Sequence, residues 1–247
     1  MRSFIRCKHS KGYMYEMSTG FMYRGKHVSV IMPVYNEERT VGKMIRRVLA
    51  RRVVDALIVI NDGSTDGTLS AIKRFSEERR ISIIDCKENR GKGYAVRIGI
   101  DRVKNGIIVI QDADEEYHPE DYGALLGRLT DDTPVFGHRM RNLRHKYLLG
   151  AWAAGVHNVL FNSLYGQHVK DMNAGYKVFD KEMLHGIKLR EDGFEIDPEI
   201  AIALARNGYA IKDVPIRYSG RTFKEGKKIG ARDAISIAIF LIKKRFA

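Results

Sequence analysis

Cysteine is nearly missing from this 247-residue chain, which has only Cys7 and Cys86. Two thiols cannot build a disulfide framework or a cysteine-rich zinc site, and they favour a reducing compartment over a secreted one. No run reaches the roughly 18–20 uninterrupted apolar residues that a bilayer span requires. No apolar signal segment follows the basic start Met1-Arg2-Ser3-Phe4-Ile5-Arg6-Cys7-Lys8. The sequence therefore predicts a protein that neither crosses a membrane nor is exported. Negative charge is also short. Against 43 Lys and Arg there are 30 Asp and Glu, a formal charge of +13. That excess favours an anionic partner: nucleic acid, phosphorylated small molecules or an acidic membrane face.

What is present is globular. Hydrophobic residues make up 44% of the chain, enough to bury a core at this length, which excludes disorder and fibrous repeats. Residues 1–26, basic and aromatic without a period, read as an N-terminal extension. The folded part runs from His27 to 247 as one domain with a first half 27–121 and a second half 122–247. Val28–Met32 is a short β-rich run stopped by Pro33, and Thr40–Arg52 reads as a helix with a basic outer face. Further strands are expected at 56–60, 81–84 and 106–110, with helices at 68–78 and 93–103 between them. Apolar strands alternating with helices predict an α/β fold with a mostly parallel sheet covered on both faces. In such sheets ligands bind beyond the carboxyl ends of the strands. After 121 the rhythm loosens. Residues 147–165 are largely apolar and small, broken by His157, Asn158 and Asn162. Helices are expected at 198–207 and 231–245, and a fifth strand at Val135–Arg139. Val214–Tyr218 reads as an edge strand.

Each of the first four strands ends in a polar motif: Pro33-Val34-Tyr35-Asn36-Glu37-Glu38, Asn61-Asp62-Gly63-Ser64-Thr65-Asp66-Gly67-Thr68, Asn89-Arg90-Gly91-Lys92-Gly93 and Gln111-Asp112-Ala113-Asp114-Glu115-Glu116. Two aspartates separated by one residue on a turn can hold a hard divalent cation, which can in turn bridge diphosphate oxygens. A solvated acidic turn is the plainer alternative. Gly91-Lys92-Gly93 lets the backbone approach a ligand with Lys92 near a phosphate, or else starts a helix with a solvated lysine.

Together the four motifs resemble family 2 glycosyltransferases, which have the GT-A fold, and among them the polyprenyl- and dolichol-phosphate sugar synthases such as the dolichol-phosphate mannose synthases. The resemblance spans about Val28 to Asp233. It implies a Rossmann-like sheet flanked by helices, with an irregular C-terminal acceptor region. It implies Mg or Mn on Asp112 and Asp114, with Glu116 as a third ligand, and places the nucleotide base and ribose at Pro33, Tyr35, Glu37 and Asp62. Asp62 has the alternative of a turn contact, with Asp66 and Thr68 capping the next helix. The fifth strand ends Gly137-His138-Arg139 where related synthases have Gly-Ser-Arg, so Arg139, with Arg144 after it, is expected near a phosphate. Asp171-Met172-Asn173-Ala174-Gly175-Tyr176-Lys177 resembles a segment lining the sugar pocket. Glu195 and Asp197 stand where members acting on hydroxyl acceptors carry a catalytic base, although Asp197 also suits an N-cap. Arg221, before Lys227 and Lys228, matches an arginine that closes over the diphosphate.

The function implied is inverting, metal-dependent transfer of a sugar from a GDP- or UDP-linked donor to a polyprenyl or dolichyl phosphate. The site would be the cytoplasmic membrane face, reached peripherally by the terminal helix, whose apolar run ends Lys243-Lys244-Arg245. Dimer or core packing is an equal use of that helix. Three alternatives stay open. One is transfer to a soluble hydroxyl or phosphorylated acceptor, with Asp197 or Glu195 as base. Another is a basic nucleic-acid-binding protein, for which no module signature appears. The last is a catalytically silent relative.

Overall fold

The computed structural model describes residues 5–6, 22–139, 148–221 and 231–246. The centre of the molecule is a set of short apolar strands: β1 (Ile5–Arg6), β2 (Val28–Val34), β3 (Ala56–Asp62), β4 (Ile81–Cys86), β5 (Ile107–Ile110), β6 (Val135–Arg139), β7 (Lys177–Asp180) and β8 (Lys212–Ile216). They form one eight-stranded sheet in the order β1-β4-β3-β2-β5-β7-β6-β8. The first five strands in that order run parallel. β7 is antiparallel to both β5 and β6, and β8 runs parallel to β6. Two antiparallel steps restore the original direction. The carboxyl ends of β6 and β8 therefore lie on the same edge as those of β2, β3, β4 and β5, and so does the segment entering β7.

Strands β2, β3 and β5 are apolar on both faces because helices cover both sides. In α1 (Val41–Leu49), Val41, Met44, Ile45 and Val48 are fully buried while Lys43 and Arg46 face outward. This i, i+3, i+4, i+7 stripe contributes about 1.5–3 kcal/mol per buried side chain. α2 (Thr68–Lys73) starts where the Asp66 carboxylate accepts the Thr68 N–H at 3.0 Å. It ends well short of the expected 78, in turns bonded through Phe75 and Ser76. α3 (Lys92–Arg102) lies on β2 and β3, with Gly99 against Ile31 and Ile60. The remaining helices are α4 (Tyr122–Arg128), α5 (Leu148–Tyr165), α6 (Ile196–Arg206) and α7 (Ala231–Phe246), and α5 packs against α7.

Three expectations need correction. β2 does not stop at Pro33. It runs to Val34, with Pro33 in register with Ile60, because a proline one residue from a strand end costs little pairing. β3 continues through Asn61 and Asp62, both buried despite their polarity, since their side chains find partners. Packed chain also begins before His27. Tyr23 and Arg24 donate to the Leu126 and Leu129 carbonyls, Lys26 pairs with Asp131 and Asp180, and Ile5–Arg6 adds an edge strand to β4.

Candidate active site

The strand-end loops converge on three connected groups of charged side chains. In the first, Arg221, just beyond β8, gives a bidentate pair to Glu37 in the β2–α1 loop (3.0 and 2.9 Å). The same guanidinium donates to Asp114 Oδ2 at 2.8 Å, and the Arg221 N–H reaches Glu116 Oε1 at 2.6 Å. The other Glu116 oxygen accepts from the Tyr218 hydroxyl at 2.9 Å. The 217–221 segment is laid across the β5 loop by the Tyr117–Tyr218 bridge and by Ser219 N–H donating to the Glu116 carbonyl.

The second group alternates in sign. Lys92, at the start of α3, lies 3.0 Å from Asp112 Oδ1 and 3.2 Å from Asp197 Oδ2. The second Asp197 oxygen accepts from Lys177, whose ammonium is fully buried and also donates to the Ala174 carbonyl. Burial alone would raise the Asp197 pKa, but Lys177 and Lys92 outweigh it and hold the carboxyl below the usual range. Burial also works to discharge Lys92, and there Asp112 and Asp197 win and hold it above the ordinary lysine range. Asp197 does not serve as the N-cap of α6. It sits inside the first turn with both oxygens turned to lysines, and Glu195 holds the cap position.

In the third group Arg139 makes a two-nitrogen pair with Asp171 (2.7 and 2.7 Å) and lies over the Tyr218 ring. Tyr117 packs between the tilted rings of Tyr176 and Tyr218 and takes the Gly175 N–H on its hydroxyl. A side chain at Gly175 would collide with the Asp112 carboxylate, so glycine there makes room for it.

The acidic turn is a fitting cradle for a divalent cation by its charge. Burial first, then Asp112 and Glu116, push the Asp114 carboxyl up to about 7 against the pull of Arg221. Among the described residues no three acidic, histidine or cysteine side chains converge as a formed metal centre. Lys92 and Arg221 lie on the two aspartates instead.

The other expected residues are placed as follows. Pro33, next to last in β2, is half-buried, and Tyr35 is half-buried in the loop after that strand. Asp62 accepts the Arg90 and Gly91 N–H groups (3.1 and 2.7 Å), one on each oxygen, and so staples the loop that carries Lys92. Gly91 (φ +107) and Gly93 are needed for close approach, but what they approach is the 191–193 backbone, with Gly93 N–H and Tyr94 N–H donating to the Asp192 carbonyl. The ligand approach expected there is thus replaced by a packing contact. Glu195 joins none of the three groups; Ser236 of α7 donates to its carboxylate. Arg144, Lys227 and Lys228 lie outside the described residues.

Sequence reasoning named Lys177 within the segment resembling the sugar pocket but missed it as the partner of Asp197, and it missed Asp171 as the partner of Arg139 and Tyr218 as the partner of Glu116. Lys177 had one available signal, a lone lysine opening the apolar run Val178-Phe179. The pairs Arg139–Asp171 and Tyr218–Glu116 are contacts between distant segments and leave no local trace.

Residues 29–186 match the model of the family described as Glycosyl transferase family 2. The chain is similar to a dolichyl-phosphate beta-glucosyltransferase of Trichomonas vaginalis, 28% identical over 87% of this chain and 73% of that protein. It is also similar to an undecaprenyl-phosphate 4-deoxy-4-formamido-L-arabinose transferase of Salmonella paratyphi A, 26% identical over 82% of this chain and 62% of that protein. Among solved structures it resembles glucosyl-3-phosphoglycerate synthase of Mycobacterium tuberculosis in complex with Mn2+, UDP and phosphoglyceric acid. There the TM-score is 0.68 at 20% identity, over 90% of this chain and 79% of that one. At that identity the likeness is one of fold, and it is the GT-A fold. With the strand-end acidic site in place, the chain belongs to glycosyl transferase family 2 and is a glycosyltransferase.

Proposed function

We propose that the protein transfers a sugar, with inversion, from a nucleotide-sugar to a polyprenyl phosphate at a membrane surface, using a divalent cation. The observation that carries this reading is the cradle of Glu37, Asp112, Asp114 and Glu116 at the carboxyl edge of the sheet. Burial there, together with the neighbouring Asp112, Glu116 and Glu37 carboxylates, raises Asp114 to about 7. Asp112, Asp114 and Glu116 would hold the cation. Bound there, it would supply charge neutralisation for the departing nucleoside diphosphate. Glu37, in the loop after β2, and Asp62, the last residue of β3, serve the nucleoside, with Pro33 and Tyr35 beside them. Lys92 and Arg221 are the cations positioned to meet the diphosphate once their carboxylate partners are taken. Arg139, oriented by Asp171, faces the acceptor phosphate.

The acceptor class follows from the carboxylates available as bases. Asp197 carries two lysines on its two oxygens and is held ionised below the usual range, which makes it a poor proton acceptor. Phosphate monoesters are already anionic at neutral pH, with a second pKa of about 6, and need no base. Both curated relatives named above carry a polyprenyl-type phosphate in their names. On α7, Ile235, Ile239, Ile242 and Phe246 are exposed along one stripe, next to Lys243 and Arg245. That pattern fits an interfacial helix on anionic lipid. No described helix is long and apolar enough to cross a membrane.

A second reading, transfer to a soluble phosphorylated acceptor, draws on the M. tuberculosis complex, which contains phosphoglyceric acid. Mutation separates phosphate acceptors from hydroxyl acceptors. Glu195→Gln is expected to keep transfer within about threefold, whereas loss of a true general base costs about 10²–10⁴. A loss of that size would move the acceptor to the hydroxyl class.

A further inference from the structure

Arg221 is committed to three carboxylates, and its partners are the groups that the function proposed above gives to the donor. Both Glu37 oxygens, Asp114 Oδ2 and Glu116 Oε1 accept from its guanidinium or its N–H. The Arg221 Nε–H, by contrast, is buried with no hydrogen-bond partner among the described residues. A buried donor without an acceptor costs on the order of 1–3 kcal/mol, so the observed arrangement favours the carboxylates while leaving one donor over. A divalent cation on Asp114 and Glu116 competes with the guanidinium for Asp114 Oδ2 and with the Arg221 N–H for Glu116 Oε1. Arg221 then keeps Glu37 alone, and an incoming diphosphate offers acceptors to the donors that are freed and to Nε.

We propose that Arg221 is a resident counter-ion of the empty donor site, which exchanges its carboxylates for the nucleoside diphosphate when a divalent cation takes Asp114 and Glu116. This rests on the metal reading given above. Metal and nucleotide are then coupled through one side chain. Metal alone must displace Arg221 without compensation and binds weakly, while metal with a diphosphate gives the arginine a new partner and binds well. By linkage the diphosphate gains from the metal by the same factor. Lys92 gives up only Asp112 to the cation and stays anchored by Asp197, itself held by Lys177, so the coupling falls mainly on Arg221.

The test is Mn2+ binding followed by electron paramagnetic resonance, without any sugar transfer, in the full chain and in Arg221→Gln and Arg217→Gln. Arg217 pairs with Asp121, outside the cradle, and controls for simple loss of positive charge on the same segment. Arg221→Gln is expected to bind Mn2+ alone about tenfold more tightly, equivalent to about 1.4 kcal/mol. It should also bind UDP or GDP more weakly and gain less Mn2+ affinity from either nucleotide than the unaltered chain does. Arg217→Gln should match the unaltered chain. Equal or weaker Mn2+ binding by Arg221→Gln overturns the exchange, as does an equal gain in both variants, which would be a general field effect. Absence of Mn2+ binding in every form, with and without UDP or GDP, overturns the metal reading together with the exchange. Thermal melting of Arg221→Gln with added Mn2+ guards against a folding defect, since a folded variant with an emptied cradle must gain more Tm from the ion than the unaltered chain.

Discussion

Asp114 illustrates at the residue scale how a binding site works against the fold that contains it. Its carboxyl sits near 7, against 3.8 for an ordinary aspartate, because it is buried beside Asp112, Glu116 and Glu37. Between those two values the folded, metal-free chain keeps a proton that the unfolded chain has lost. Its stability therefore falls as pH rises from about 4 to about 7. Asp114→Asn removes that dependence. The variant is expected to melt higher than the unaltered protein at pH 7.5 without metal, by about 2–4 °C per kcal/mol gained, with a flatter profile between pH 5 and 7. Its transfer activity is expected to fall at least 100-fold, about 2.7 kcal/mol of transition-state stabilisation. Calorimetry across that pH range checks the first part, and an unchanged slope would contradict it. The acidic residues themselves were legible in the sequence, since Asp112, Asp114 and Glu116 share one turn. Their counter-ions were not, because Arg221 and Glu37 are 184 positions apart and pair only through the fold.

At the scale of elements, the loop that carries Lys92 is fixed from two sides. Asp62 takes its N–H groups from below, and the 191–193 backbone presses on Gly91 and Gly93 from the side. Gly93→Ala would push a methyl group into the Glu191 and Gly193 carbonyls. The expected cost is about 1–3 kcal/mol, seen as a lower urea midpoint, together with weaker nucleotide binding because Lys92 moves with the loop. A midpoint equal to that of the unaltered chain would show that the 191–193 loop yields freely. A related expectation concerns the start of α6. Asp197→Asn leaves Lys177 buried without its charged partner and should cost about 3–5 kcal/mol, whereas a surface carboxylate such as Glu77 should cost almost nothing. Apolar runs and their strand ends were enough to locate β2 to β6 and the helices α1, α2 and α3, but not α4. Strand and helix limits were less legible. Polar residues extend β3 because their partners Asp85, Arg90 and Gly91 come from other segments, and a four-residue strand such as β7, opened by a lysine, has no period to detect. The glycines of the Lys92 loop were correctly seen as sites of close approach, but only the fold shows that the approaching group is protein.

For the whole molecule, one edge of the sheet gathers the donor cradle, the Arg139–Asp171 pair and the buried lysines. The two antiparallel steps around β7 bring the C-terminal third to that edge, so both halves of the chain contribute to one site. The exposed stripe of α7 next to its basic end adds a surface suited to lipid. Vesicles containing anionic phospholipid are expected to retain the protein at low salt, and Ile239→Glu with Ile242→Glu should weaken retention at least tenfold without changing nucleotide binding. Retention unchanged by both substitutions would assign the stripe another role. The central claim is transfer itself. The most direct measurement incubates the purified protein with a panel of nucleotide-sugars, Mn2+ or Mg2+, and a short polyprenyl phosphate, and follows sugar appearing on the lipid. The account predicts a metal-dependent lipid product of inverted configuration from one donor, lost in Asp112→Asn and Asp114→Asn. Sugar transferred only to a soluble acceptor, or no interaction with any nucleotide-sugar, would contradict it.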